Sequence, residues 1–309
     1  MARFRIQVPL GIAKGGRPAA ACEISHEGVV AAATPAAGQR PVYAAEGLPA
    51  SSLAPSLTEG NLANSPAVSN AIRSALGQVQ PRVKAVTVVV PDSAVRVFVL
   101  DFDTLPSKPE EALPVLRFRL RKSVPFDVEE AGVSFQVLNE GSSRLETQWK
   151  VLAAIIPGPV LAEYEGAVRA AGFEPGVVLP SSLAALSAID SQEAVLAVNL
   201  SSQSLTTSIV SGNDIQLYRT VELPQDPEAQ RAEVQRSIAV AAAFYEDRLQ
   251  VRPYRLLYSG VLSVRDFAEL LDDEELVVEE LVPHPETGIA SAIGHHSVAG
   301  VTGALAGTN

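Results

Sequence analysis

The polar residues best placed to do chemistry sit in two stretches that echo each other. In the first, the apolar run Ala20-Ala21-Cys22 reaches Glu23-Ile24-Ser25, turns at His26-Glu27-Gly28 and returns as Val29 to Ala33. In the second, Ala194 to Val198 reaches Asn199-Leu200-Ser201, turns through polar residues and returns as Thr206 to Val210. An apolar strand that ends in a polar residue and turns tightly through Ser or Gly can present backbone N–H groups to a phosphate. The pattern therefore predicts a nucleotide clasp, with Glu23 and Ser25 on one side and Asn199 and Ser201 on the other. The residue types argue against vigorous chemistry there. Ser25 and Ser201 place side chains where glycine would let amides approach, and Asn199 is a neutral, weaker ligand for Mg²⁺ than a carboxylate. Each lost charge-assisted phosphate contact costs about 1.5 to 3 kcal/mol, so the expectation is weak or absent ATP binding and no useful hydrolysis.

The remaining candidates carry less. Cys22, the one cysteine, lies in an apolar run and reads as an inert core residue; no disulfide within the chain is possible. His295-His296 are adjacent without a third ligand nearby, which does not make a zinc site. His26 reads as a solvated turn residue, and Ser201-Ser202 have no histidine close by to activate a nucleophile. Arg117, Arg119, Arg121 and Lys122 crowd the end of one predicted helix. Such a cluster either attracts an acidic partner or simply complements the helix C-terminus.

Composition narrows the classes. The chain has 309 residues, 47% of them hydrophobic, enough for two halves with separate cores. Its 24 Lys plus Arg against 35 Asp plus Glu give a net charge of −11, which argues against nucleic acid or an anionic membrane as a general partner. No stretch approaches 18 uncharged apolar residues and the first ten residues lack a signal-like apolar region. The expectation is a soluble protein without direct membrane insertion.

These residues must be held by an alternation of short strands and helices, which is α/β in class. A hairpin over 20–33 and a strand near 41–46 precede a loop over 51–66, which caps a helix at Ser65 or Ser69 running to about Leu76. Val83–Val90 and Val95–Leu100 read as paired strands joined at Pro91-Asp92-Ser93. A helix follows with Ser107 as N-cap, Pro109 just inside, Glu110 and Glu111 in its first turn, and Leu113, Leu116, Phe118 and Leu120 along it. Val133, Phe135 and Val137 alternate as a strand. Further strands are expected at 149–156, 177–179, 214–223 and 254–260, with helices over 160–171, 226–249 and 264–271. Residues 272–280 suggest a short exposed strand, and the small-residue tail over 288–306 a closely packed helix.

In this order the chain resembles the PilM family, actin-like assembly proteins of type IV pili and related secretion machinery. The resemblance rests on Val99-Leu100-Asp101, Leu105-Pro106, the Glu110-Glu111 helix, its exit Val124-Pro125-Phe126 and the strand Phe135-Gln136-Val137-Leu138. Ala171-Gly172-Phe173, Asn199-Leu200-Ser201 and Tyr258-Ser259-Gly260 extend it. It implies an actin-like, ribonuclease H-like two-lobed α/β fold with a small inserted subdomain. The implied divisions are 1–81 and 149–190 for the first lobe, 82–148 for the insertion and 191–309 for the second lobe. The family's phosphate loops then fall at Cys22 to Ser25 and Asn199 to Ser202, and its paired adenosine-side glycines at Gly260-Val261, each altered here. No cofactor is expected; ATP with Mg²⁺ is the alternative. The implied role is a non-catalytic cytoplasmic scaffold, peripheral to the inner membrane, that binds the cytoplasmic tail of a PilN-like membrane protein. A pilus or secretion motor ATPase is a second candidate partner. Leu105, Leu113, Arg117, Arg121, Val124 and Phe126 are the implied contact residues. Two competing readings are an ATP-binding actin-like regulator of the same machinery and a sugar-kinase-like enzyme; the latter needs a catalytic aspartate beside an intact clasp.

Overall fold

The computed structural model describes residues 17–35, 39–138, 149–212, 214–273, 275–283 and 297–306. His295-His296 and the first part of the predicted tail helix, 288–296, lie outside these residues.

The echo in the sequence is an echo of sheets. In the first lobe, β1 (Ala20–Ile24), β2 (Gly28–Ala33) and β3 (Val42–Gly47) form an antiparallel meander, and β4 (Ala85–Val90) and β8 (Glu174–Pro180) add in parallel, in the order β3-β2-β1-β4-β8. In the second lobe, β9 (Ala194–Leu200), β10 (Ser204–Ser211) and β11 (Asp214–Glu222) repeat the meander, and β12 (Arg255–Gly260) and β13 (Val277–Glu280) repeat the parallel pair, in the order β11-β10-β9-β12-β13. Strands such as β2, buried along their whole length, carry apolar residues on both faces because both faces are covered.

Helices α1 (Ser65–Val79) and α3 (Gly158–Ala170) pack on the first sheet. Gly172 ends α3 at a positive φ of 94°. The N-cap of α1 is Asn64, whose side chain accepts from the Ala67 amide at 3.1 Å, rather than Ser65 or Ser69. In the second lobe α5 (Pro227–Leu249) starts where the sequence places it, with the Asp226 carboxylate accepting from the Ala229 amide at 2.9 Å. Helix α6 (Val264–Leu271) covers the same core, with Phe267 stacked on Tyr258.

The inserted subdomain is a three-stranded antiparallel sheet, β5 (Arg96–Phe102), β7 (Trp149–Ile156) and β6 (Gly132–Val137), in the order β5-β7-β6. Helix α2 (Pro109–Leu120) covers one face. Its N-cap position is Lys108, without a side-chain bond, so Ser107 lies outside the helix. These boundaries correct the expected insertion over 82–148. Strand β4 belongs to the first lobe, and β7 is the central strand of the small sheet. Asp92–Ala94 form a 3-10 turn that carries the chain from one sheet to another instead of closing a hairpin between β4 and β5. Strand β7 is apolar and buried from Val151 to Ile156 because its faces serve two cores. Val151, Ala153 and Ile155 face Leu116 and Leu120 of α2, while Leu152, Ala154 and Ile156 join the main core. Among the described residues, no helix is long and apolar enough to cross a membrane.

Candidate functional site

The ends of β1 and β9 meet across a cleft of about 380 Å³ between the lobes, and the structure brings Glu23, Ser25, Asn199, Ser201 and Gly260 together on its walls. Both hairpin turns are closed by their own serines. The Ser25 amide and hydroxyl donate to Gly28 O at 2.9 and 3.2 Å. The Ser201 hydroxyl accepts from the amides of Ser204 at 2.9 Å and Gln203 at 3.3 Å. It thus takes the position of an external anion towards those two donors. The Val261 amide is likewise committed, donating to Leu200 O at 3.1 Å. Gly260 serves packing: a Cβ there would lie 2.5 Å from Leu200 O and 2.7 Å from the Tyr258 hydroxyl.

The charge on the walls is also wrong for phosphate. Glu23, Glu27 and Asp92 line the cleft, and no lysine or arginine is among its described lining residues. Among the described residues no group of three or more His, Cys, Asp or Glu side chains could hold a metal ion.

What fills the space between the carboxyls is a hydrogen-bond network. Asp92, on the 3-10 turn, is buried to 5% exposure. Its Oδ1 accepts from the Ser182 amide at 3.0 Å and the Ser182 hydroxyl at 2.8 Å. Its Oδ2 accepts from the Thr206 hydroxyl at 2.9 Å and the Asn199 Nδ2 at 3.2 Å. Ser181 and Ser182 open helix α4 (Ser181–Leu186). The Tyr218 hydroxyl, held by β11, bonds the Ser182 hydroxyl, and Thr220 bonds Thr206 at 2.9 Å. The Asn199 Nδ2 also donates to Ser181 Oγ at 3.1 Å, while its Oδ1 accepts from Ser259 at 3.0 Å. Burial pushes the Asp92 carboxyl above its ordinary pKa, against the pull of its four donated bonds.

Glu23 hangs at the end of this chain. Its Oε1 accepts from the Ser181 hydroxyl at 2.5 Å. Its Oε2 is buried without a partner and fills the space beside Gly300 of the closing helix α7 (Ala299–Leu305), where a Cβ would lie 2.3 Å from it. Burial pushes the Glu23 carboxyl up to about 7, Ser181 opposes this, and Asp92 and Glu27 add to it. The neighbouring Cys22 thiol is pushed up to about 12 by burial and by Glu23, which makes it inert.

The six residues that the family resemblance implies as partner contacts are spread over the subdomain. Leu105, Val124 and Phe126 pack on its core. Leu113 is half-buried on α2. Arg117 donates to Ala131 O at 3.0 Å and Arg121 pairs with Glu129 at 3.0 Å, so two of the four clustered cations are engaged inside the subdomain. Phe126 lines a groove of about 310 Å³ between the subdomain and the first lobe, with Leu57, Pro157 and Val160 on the opposite wall. A wider groove of about 820 Å³ adjoins it, sharing Leu57, Thr58 and Pro125, and reaches the second lobe at Gln203, Glu222 and Pro224. Its wall over 51–62 is pinned by buried Asn61, whose Nδ2 donates to Ser56 O at 2.8 Å and whose Oδ1 accepts from Tyr164 at 3.1 Å.

Sequence reasoning missed two features. Asp92 read as a turn residue between paired strands; its signal was an acidic side chain between two strongly apolar runs. Phe118 read only as one of the apolar residues along α2, without a face assigned; it is 76% exposed, because the buried stripe is Ala112, Leu116 and Leu120.

No protein-family model and no curated protein sequence matches the chain. Among solved structures it is similar to the PilM-PilN type IV pilus biogenesis complex, at 18% identity over 96% of this chain and 100% of that chain, with a TM-score of 0.71. It is also similar to the cytoplasmic domain of EpsL, an inner-membrane component of the type II secretion system of Vibrio cholerae, at 15% identity over 89% of this chain and 92% of that one, with a TM-score of 0.51. A Bacteroides thetaiotaomicron protein with an actin-like ATPase fold matches at 10% identity over 96% and 99% of the two chains, with a TM-score of 0.50. At these identities the likeness is one of architecture: the chain has the two-lobed actin-like fold.

Proposed function

We propose that this protein is a non-catalytic cytoplasmic scaffold of a type IV pilus-like or type II secretion-like assembly, peripheral to the inner membrane. Its partner in this reading is the cytoplasmic N-terminal tail of a PilN-like inner-membrane protein, with a motor ATPase as a further candidate. The observation that carries the reading is the state of the inter-lobe cleft. The amides of Ser25, Ser201, Gln203, Ser204 and Val261 are bonded within the chain, and Glu23, Glu27 and Asp92 line the cleft with no lysine or arginine among its described lining residues, which disfavours an anionic nucleotide. Binding surfaces then remain as the means of action. The groove beside Phe126 is open, carries Leu57, Phe126, Pro157 and Val160 together with the acidic Glu59, Asp127, Glu130 and Glu163, and is of a size for an extended peptide segment. The full-length likeness to a chain of the PilM-PilN complex supports the choice of partner.

An ATP-binding regulator is the second reading, favoured by the persistence of a cleft of about 380 Å³ with Ile24, Leu200 and Val261 as apolar wall. Co-purification of the full chain with the candidate tail, with and without ATP-Mg, separates the two. Tail binding indifferent to nucleotide supports the scaffold, nucleotide-gated binding supports the regulator, and absence of tail binding removes both in this form.

A further inference from the structure

We propose that the network centred on Asp92 is an inter-lobe clamp made of protein atoms, which holds the cleft at one width without any ligand. The main hydrophobic core already joins the lobes, with Ala197, Val210, Ile215 and Tyr218 of the second in it, but holding one cleft width needs an interaction that favours that arrangement over others. Here that interaction is built in. Asp92, Ser181 and Ser182 belong to the first lobe; Asn199, Thr206 and Tyr218 belong to β9, β10 and β11 of the second. Four side-chain bonds cross between them: Asn199 to Asp92 and to Ser181, Thr206 to Asp92, and Tyr218 to Ser182.

The directions of these bonds agree. Asp92 accepts at both oxygens, Ser182 and Thr206 donate to it, and each of those hydroxyls can accept in turn from Tyr218 or Thr220. A buried carboxylate whose two oxygens are both satisfied, as those of Asp92 are, specifies one arrangement, because opening the lobes strips it of donors while it is still largely surrounded by protein. Thr206 is 1% exposed and Ser182 3% exposed, so water does not replace those donors in the closed state. Outside the network, Arg96 of β5 pairs with Glu222 of β11 at 3.0 Å, but Glu222 is 72% exposed and the pair adds little.

The clamp also sets the wide groove. Ser93, next to Asp92, lines it, and its remaining walls come from both lobes and from the subdomain. This inference stands whether or not the proposed tail binds there.

The test is a distance across the groove in the full chain. Thr58→Cys and Gln225→Cys place labels on exposed residues on its two sides, and the natural Cys22 is buried and stays unlabelled. Pulsed electron-electron resonance of the doubly spin-labelled protein should give one narrow distance distribution, unchanged by ATP-Mg. Asp92→Asn and Thr206→Val should broaden it about twofold or shift it to longer distances. Tyr218→Phe, which removes one hydroxyl, should broaden it less and serves if Asp92→Asn fails to fold, as judged by circular dichroism. A broad wild-type distribution that narrows with ATP-Mg would overturn the clamp. So would folded variants with an unchanged distribution.

Discussion

The side-chain amide of Asn199 donates to Asp92 Oδ2 at 3.2 Å and to Ser181 Oγ at 3.1 Å, so one neutral residue of the second lobe bridges two residues of the first. A carboxylate at this position would face Asp92 directly and could donate to neither. Asn199→Asp is therefore expected to destabilise the protein by about 3 kcal/mol, because it puts a further charge beside a buried carboxylate and removes its donor. Urea unfolding should show a lower midpoint, and the substitution should not confer ATP binding.

Glu23 links stability to pH. Its carboxyl sits near 7 in the fold against an ordinary 4.5, so the folded chain keeps a proton that the unfolded chain gives up. Stability on this account is greatest below the ordinary value and falls as pH rises from about 4.5 to about 7. The loss should be about 3 kcal/mol relative to Glu23→Gln, which retains an acceptor for Ser181 and does not titrate. Denaturation of both proteins at the two ends of that window checks it, the contribution of Asp92 being common to both. Equal slopes for the two proteins would show that Glu23 does not carry the effect.

Gly303 marks where α7 presses on α4. A Cβ there would lie 1.9 Å from Ala184 O, a backbone atom that cannot swing aside. Gly303→Ala should cost about 2 to 3 kcal/mol through overpacking, despite alanine's better helix propensity. A thermal melt at or above the wild-type midpoint would contradict this.

Nucleotide titration tests the cleft directly. Calorimetry of the purified chain with ATP-Mg should give no saturable heat up to about millimolar concentrations. A micromolar dissociation constant would mean that the committed amides of the Ser25 and Ser201 turns are released on binding.

Two residues of one helix show what was legible beforehand and what was not. Periodicity alone placed both Leu116 and Phe118 in α2, but the first is fully buried and the second 76% exposed. Leu116→Ala should cost about 3 kcal/mol, while Phe118→Ser should change stability by less than about 0.5 kcal/mol. The hairpins, the helix begun by Asp226 and the cleft residues Glu23, Ser25, Asn199 and Ser201 followed from strand and turn patterns, which are local, whereas Gly260 came from the family resemblance. The pairing of β4 with β1 and of β7 with β5 was hidden, because adjacent apolar runs look like a hairpin whether or not they pair. Asp92 was hidden for a related reason. An acid at a turn has the same local pattern on the surface as between two lobes, and the difference lies in Thr206 and Tyr218, more than a hundred residues away.

Strand β7 has a mechanical consequence. Alternate residues of one strand belong to the subdomain core and to the body's core, so the subdomain is riveted to the first lobe rather than hung on a tether. A partner pulling on it would load the body through Leu152, Ala154 and Ile156, and cutting the subdomain out would remove a wall of the body with it.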